Sequence, residues 1–183
     1  TSTTNGTDKP VFLKNDLQDQ IPMIKKGNLK HQDYAKKTIQ ELFNGEVLKN
    51  ATVKEFNYSS SCVAINKGNG NFEIQKLPLR AQLSCVNAIK CMDVNNDGFT
   101  DIITAGNNAG FLPQLEKLDA SYGDVFINNR KGGFTWMGPK NSGLKIDGEV
   151  RDIAALKGKN KTYLLFLRNN DYPKTYQLKS PLH

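Results

Sequence analysis

A mainly β chain, with about two to three four-stranded blades of a β-propeller behind an N-terminal helical insert, is the fold class that three features predict. Strand-like text recurs at an offset of 62 residues, as from Val63 to Val125. A turn dense in Asp, Asn and Gly, DVNNDGFTD from Asp93 to Asp101, separates two short apolar runs. Helical periodicity lies ahead of the repeat, in the first third of the chain. A four-stranded unit repeating at about 60 residues leaves sheet faces that only neighbouring units can bury, which is the logic of a propeller blade.

Residues 1–20 are polar and read as an extended or flexible lead-in. TSTTNGTDKP has no apolar signal-peptide region, so an export signal would have to lie outside this sequence. Residues 21–57 form the helical insert. In HQDYAKKTIQELFNG, Ala35, Ile39, Leu42 and Phe43 fall at i, i+4, i+7 and i+8, which predicts one helix with one packed face. Gly45 is its stop signal, and Glu46 to Lys49 add a short turn. Strands are expected from Ala51 onward, with the blades over residues 58–183.

VAINKGNGNFEI (63–74) aligns without gaps on VFINNRKGGFTW (125–136), and each reads as a β-hairpin. After the first come Leu77, Pro78 and Leu79, a strand near 86–92, the DVNNDGFTD turn and a strand at 102–106. After the second come Ser142, Gly143 and Leu144, a strand at 150–156, a turn at 157–161 and a strand at 163–168. Ile89 corresponds to Ile153, and Asn107-Asn108 to Asn169-Asn170 after a two-residue deletion. Propellers close with about 4–8 blades, so the chain is expected to be a piece of a longer protein or to complete a ring with another polypeptide.

Within DVNNDGFTD, Asp93, Asn95 and Asp97 alternate and Gly98 follows at the sixth position. Alternate short oxygen-bearing side chains let one tight turn direct several oxygens inward, and Gly98 permits the required φ. An EF-hand loop needs a bidentate Glu at position twelve and flanking helices, but that position is Thr104 and the flanks are strands, which excludes a helix-pair calcium sensor. The next acid is Asp101. An all-oxygen donor set suits a hard cation, Ca²⁺, and the alternative reading is an Asx-rich hairpin turn with no metal. The second loop, KGKNK, has Lys157 where Asp93 stood and is read as an ordinary turn.

The net charge of +7 comes from scattered bases, with no aromatic-interleaved patch of the nucleic-acid type. No apolar run approaches the roughly 20 residues of a membrane span. Cys62, Cys85 and Cys91 are odd in number and form no CxxC; they read as small core or half-buried residues, with a Cys85–Cys91 bridge left open. His31 and His183 are the only histidines, too few for a His-based centre.

DVNNDGFTDIITAGN resembles the FG-GAP or VCBS repeat of integrin-α-type β-propellers, whose pattern is DxDxDGxxD before a strand. VAINKGNGNF and VFINNRKGGF resemble the hairpin that follows in such blades. DASYGDVFINNRKGGF, with GLKIDGEVRDIAAL after it, is further similar to large VCBS or UnbV-type exported proteins of Bacteroidota. The resemblance covers roughly residues 20–180. It implies calcium held by side-chain oxygens of Asp93, Asn95, Asp97 and Asp101 and by the Phe99 carbonyl. Asn95 stands where the family often has Asp, which weakens the site by one charge.

The function expected from this is a non-catalytic, calcium-stabilised propeller segment of an exported or cell-surface protein, on the cell surface, at the outer membrane or in the periplasm. It would bind a protein or glycan on a propeller rim, with the remaining blades supplied by the same longer protein or another chain. Rim contacts are sought in the insert Asn107 to Gly123, with Phe111 and Tyr122, and at Trp136, although aromatics more commonly serve packing between blades. The alternative is part of a carbohydrate-active lyase or hydrolase. It would need a free carboxylate pair among Asp119, Asp124, Asp147, Glu149 and Asp152, of which Glu149 and Asp152 beside Arg151 read as structural ion-pair partners.

Overall fold

The computed structural model describes residues 2–4, 6–111 and 117–179. The chain divides into two compact units, Thr1–Asn57 and Tyr58–His183.

In the first unit the lead-in carries regular structure rather than extended chain. Strand β1 (Ser2–Thr4) pairs antiparallel with β2 (Thr7–Lys9), and α1 (Lys14–Gln20) follows. Then come α2 (Met23–Gly27), α3 (His31–Lys36), α4 (Ile39–Leu42) and α5 (Gly45–Lys49). The single helix expected from His31 to Gly45 is therefore broken. Lys37 is extended, and Thr38 caps α4: its hydroxyl accepts from the Glu41 amide while the Glu41 carboxylate accepts from the Thr38 amide. This reciprocal pair satisfies two amides that a helix start leaves orphaned, which favours a new start over continuation. Gly45 is no stop either; it opens α5, and Asn44 caps that turn by accepting from the Val47 amide. With the stripe interrupted, Ala35 is exposed and Ile39, Leu42 and Phe43 are only half-buried. The buried apolar side chains here are Ile24 and Tyr34, whose hydroxyl donates to the Phe12 carbonyl at 2.8 Å.

Residues 51–61 lack strands, so the β-rich unit begins its pairing later than expected, at Cys62. Strands β3 (Cys62–Gly68) and β4 (Asn71–Lys76) form a hairpin. A 3₁₀ turn at Leu79–Gln82 leads to a four-stranded antiparallel meander of β5 (Val86–Met92), β6 (Asp101–Gly106), β7 (Asp124–Asn128) and β8 (Phe134–Met137). One turn of helix, α6 (Pro139–Ser142), precedes a three-stranded meander of β9 (Val150–Lys157), β10 (Thr162–Arg168) and β11 (Lys174–Gln177). The unit is thus mainly β, and its sheets do not close into a ring among the described residues.

The pairing is register-matched across the chain. Ile65 pairs with Glu73 and Asn66 with Phe72 in the first hairpin, as Ile127 pairs with Thr135 and Asn128 with Phe134 in β7–β8. Ile89 faces Thr104 across β5–β6, as Ile153 faces Phe166 across β9–β10. The loop ends match as well: the Asn107 amide donates to the Cys85 carbonyl, and the Asn169 amide to that of Glu149.

Alternation along these strands gives every sheet two faces. One face of β5–β8 supplies Ala88, Ile103, Ala105 and Val125 to a core shared with Val150, Ile153, Leu164 and Phe166 of the last sheet. The opposite face supplies Ile102 and Phe126 to a smaller core with Leu77 and Ala81, against which Val63 and Phe134 pack. Strand β6 is consequently buried at all six positions. Gly106 closes it because a Cβ there would stand 1.8 Å from the Cys85 carbonyl oxygen. All three cysteines are free, and Cys62 and Cys91 are exposed rather than in the core. No helix among the described residues is long and apolar enough to cross a membrane.

Candidate metal loop and the opposite rim

The DVNNDGFTD turn connects the adjacent antiparallel strands β5 and β6, where Met92 pairs with Asp101. Asn96 and Gly98 both adopt positive φ, 57° and 85°, and fold the chain back on itself. The five expected ligands come together in this one turn, but the side-chain oxygens of Asp93, Asn95, Asp97 and Asp101 engage amides of the chain. Asp93 accepts from Asp97 and Gly98, and Asn95 accepts from Asp97 at 3.2 Å. Asp97 accepts from the Phe99 amide at 2.9 Å. Asp101 is fully buried; one oxygen accepts from the Val94 amide at 3.0 Å and the other from the Asn128 amide at 2.9 Å. A single carboxylate thus ties the loop to β7.

The donor chemistry fits a hard cation, since every candidate is an oxygen and no nitrogen or sulfur ligand intrudes. As the side chains stand, no group of three His, Cys, Asp or Glu among the described residues is arranged to hold a metal ion. One positive group already serves the loop. Arg130, from the β7–β8 turn, donates to Asp97 Oδ2 at 3.0 Å and lies over the Phe99 ring at 5.2 Å. The Phe99 amide, and then this guanidinium, hold the Asp97 carboxyl below its ordinary value of 3.8. A cation entering the loop would compete with Arg130 for Asp97. Sequence reading did not find Arg130, because nothing local marks a residue 33 positions away as a partner.

The other end of the sheets is organised by Asn107, a buried residue at φ 81°. Its amide group donates to the carbonyls of Ser121 and Gly148, and its side-chain oxygen accepts from the Ser121 amide and the Ser84 hydroxyl. Three loops are thereby pinned around a cleft of about 320 Å³. Asp119, Asp147 and Glu149, three of the five candidate acids, line it with Tyr122. None is a free acid–base group. Glu149 accepts from the Ala109 amide, Asn169 and Arg151, and the first two of these chiefly lower its pKa. Asp147 pairs with Lys174 and Arg168, the lysine contributing most to its lowered pKa. Asp119 pairs with Lys117 at 3.2 Å.

Asp124 is buried beneath Arg80, Trp136 and Ser121, all of which donate to it. Trp136 is therefore tied into a structural network, with Arg80 over its ring at 5.6 Å. Asp152 is exposed on the last sheet, and Glu149 rather than Asp152 takes the ion pair with Arg151. Phe111 and Tyr122 remain exposed on this rim. Residues 112–116 of the insert, and His183, lie outside the described residues. Searched against protein-family models, curated proteins and solved structures, the chain has no match in any of the three.

Proposed function

We propose that the chain is a non-catalytic, calcium-stabilised segment of a β-propeller in an exported or surface protein, used for binding and assembly. The observation that carries this reading is the unequal burial of register-equivalent faces. Ile103 and Ala105 of β6 are 0% and 1% exposed, whereas their equivalents on the last sheet are the half-buried Leu165 and the 39%-exposed Leu167. At the other end, Phe126 is 0% exposed and its equivalent Ala64 is exposed, next to Phe72 and Ile74 at 58% and 52%. The middle sheet is covered on both faces along β6 and β7, although not at β5, where Ile89 is 60% exposed and Cys91 is exposed on the Ile102 face, and each end sheet is more open on the matching face.

An open apolar face of this kind is a place for another sheet. Burying a side chain such as Phe72 or Leu167 is worth roughly 1.5–3 kcal/mol, so either face is a substantial association site. The two ends are complementary rather than alike, so contacts are head-to-tail and of the ring-forming type. The glycosidase alternative gains nothing from the opposite rim, where each carboxylate is already held by amides or bases.

Sedimentation velocity tests the assembly part. The chain is expected to associate with rising concentration, and Leu167→Lys or Ile74→Lys to abolish this without lowering Tm. A strictly monomeric wild type that binds no hydrophobic dye would count against it.

A further inference from the structure

Beside the candidate calcium loop lies a groove of about 890 Å³, between the 93–96 turn and the 157–161 turn. Lys90, Lys157, Lys159, Lys161 and Lys179 line it. Among the described residues none of the five has a carboxylate partner or a side-chain hydrogen bond. Asp93 is the one acid in the lining, and both its oxygens are already taken by the amides of Asp97 and Gly98. Lys90 is half-buried and stands on the strand face whose neighbouring positions are Ala88 and Met92. Five ammonium groups sharing one concavity repel one another, and an anionic occupant relieves that repulsion.

We infer that this groove binds a linear acidic polysaccharide, with sulfate or carboxylate groups spaced along it. The lining distinguishes this occupant from other polyanions. It contains no aromatic residue, so there is no platform for stacking nucleobases. It contains no arginine, so there is no fork for bidentate phosphate recognition. Lysines supply point charges on flexible stems, which suits anionic groups spread along a sugar chain. Met92, Ala155 and Leu178 add a low apolar wall against which sugar rings can lie. The turn that carries three of the lysines is held by the Gly158 amide donating to the Lys161 carbonyl at 2.8 Å, so its form does not depend on those side chains.

This inference deepens the rim-binding part of the proposed function and rests on that part alone. It requires neither calcium nor ring closure.

The test is heparin binding to the whole chain, measured by calorimetry in chelator over a salt series. Five neutralised charges give a slope of log K against log salt of roughly −3.5, by analogy with single-stranded polyanions, and about a hundredfold loss of affinity between roughly 50 and 200 mM salt. The triple variant Lys157→Ser, Lys159→Ser, Lys161→Ser is expected to reduce the slope by about 2. The variant Lys25→Ser, Lys26→Ser, Lys54→Ser removes equal charge in the other unit and is expected to change neither slope nor affinity. If the first triple does not fold, Lys179→Ser alone should reduce the slope by about 0.7. Equal losses in both triples would show a net-charge effect and overturn the site. Binding of a single-stranded oligonucleotide as tight as that of heparin would overturn the ligand class. Because the assay contains no calcium, a negative result leaves the calcium and assembly readings untouched, and their failure leaves this one standing.

Discussion

Replacing Asp101 by Ala separates the structural work of the loop from any metal it holds. The Asp101 carboxylate is fully buried and accepts two amide hydrogen bonds, from Val94 in the loop and Asn128 at the end of β7. Hydrogen bonds to a charged group are worth roughly 1.5–3 kcal/mol each, and truncation strands two amide donors. Removing a buried charge returns part of this, because the carboxylate no longer has to be desolvated. The net expectation is a loss of about 3 kcal/mol, which for a unit of this size lowers Tm by roughly 10 °C. Thermal unfolding followed by circular dichroism should show this drop in chelator, with no calcium present. Added calcium should widen the gap between wild type and variant, since only the wild type keeps the full ligand set. A variant that melts within about 2 °C of wild type in chelator would refute the reasoning, because the two hydrogen bonds would then contribute nothing to stability.

Gly106→Ala should prevent β5 and β6 from closing in their present register, since the added methyl meets the Cys85 carbonyl oxygen; a soluble, cooperatively melting variant would contradict the geometry. Acidification should weaken the rims. Asp97, Asp147 and Glu149 all have folded pKa values held below the ordinary 3.8 or 4.5 by hydrogen bonds and bases. Their contribution is therefore fully present above those ordinary values and is lost as pH falls through the lower folded ones. Asp147→Asn should accordingly lower Tm at pH 7, with the difference from wild type vanishing at the acid end of a Tm-against-pH series.

The β-rich half of the fold was legible because its signals are local. Val63 and Val125 open hairpins whose Gly and Asn turns recur at the same positions, and the paired registers repeat with them. The loop between β5 and β6 was legible for the same reason: alternating Asp and Asn with Gly98 define a turn by themselves. The helical insert was misread because periodicity was weighed above capping. Thr38 and Glu41 form a start signal inside the apparent stripe, and Asn44 forms another. Strand β11 was missed because four residues after Pro173 show no pattern of their own; pairing with β10 makes them a strand. In the site, the reach of Arg130 to Asp97 and the gathering of Lys90 and Lys179 around the KGKNK turn depend on tertiary placement. Only the KGKNK segment was visible beforehand, and alone it read as an ordinary turn.

The central claim is that the DVNNDGFTD loop takes up calcium and that the ion stabilises the fold without reshaping it. Calcium titration of the wild-type chain and of Asp97→Ala, read both by calorimetry and by Tm, tests this most directly. Extracellular modules bind calcium at about 10⁻⁴–10⁻³ M, so uptake in that range is expected, with Tm rising by mass action. Asp97→Ala should lose the uptake and the rise in Tm, and its melting curve should approach that of the wild type once calcium is chelated. No heat of binding and no change in wild-type Tm at millimolar calcium would contradict the account.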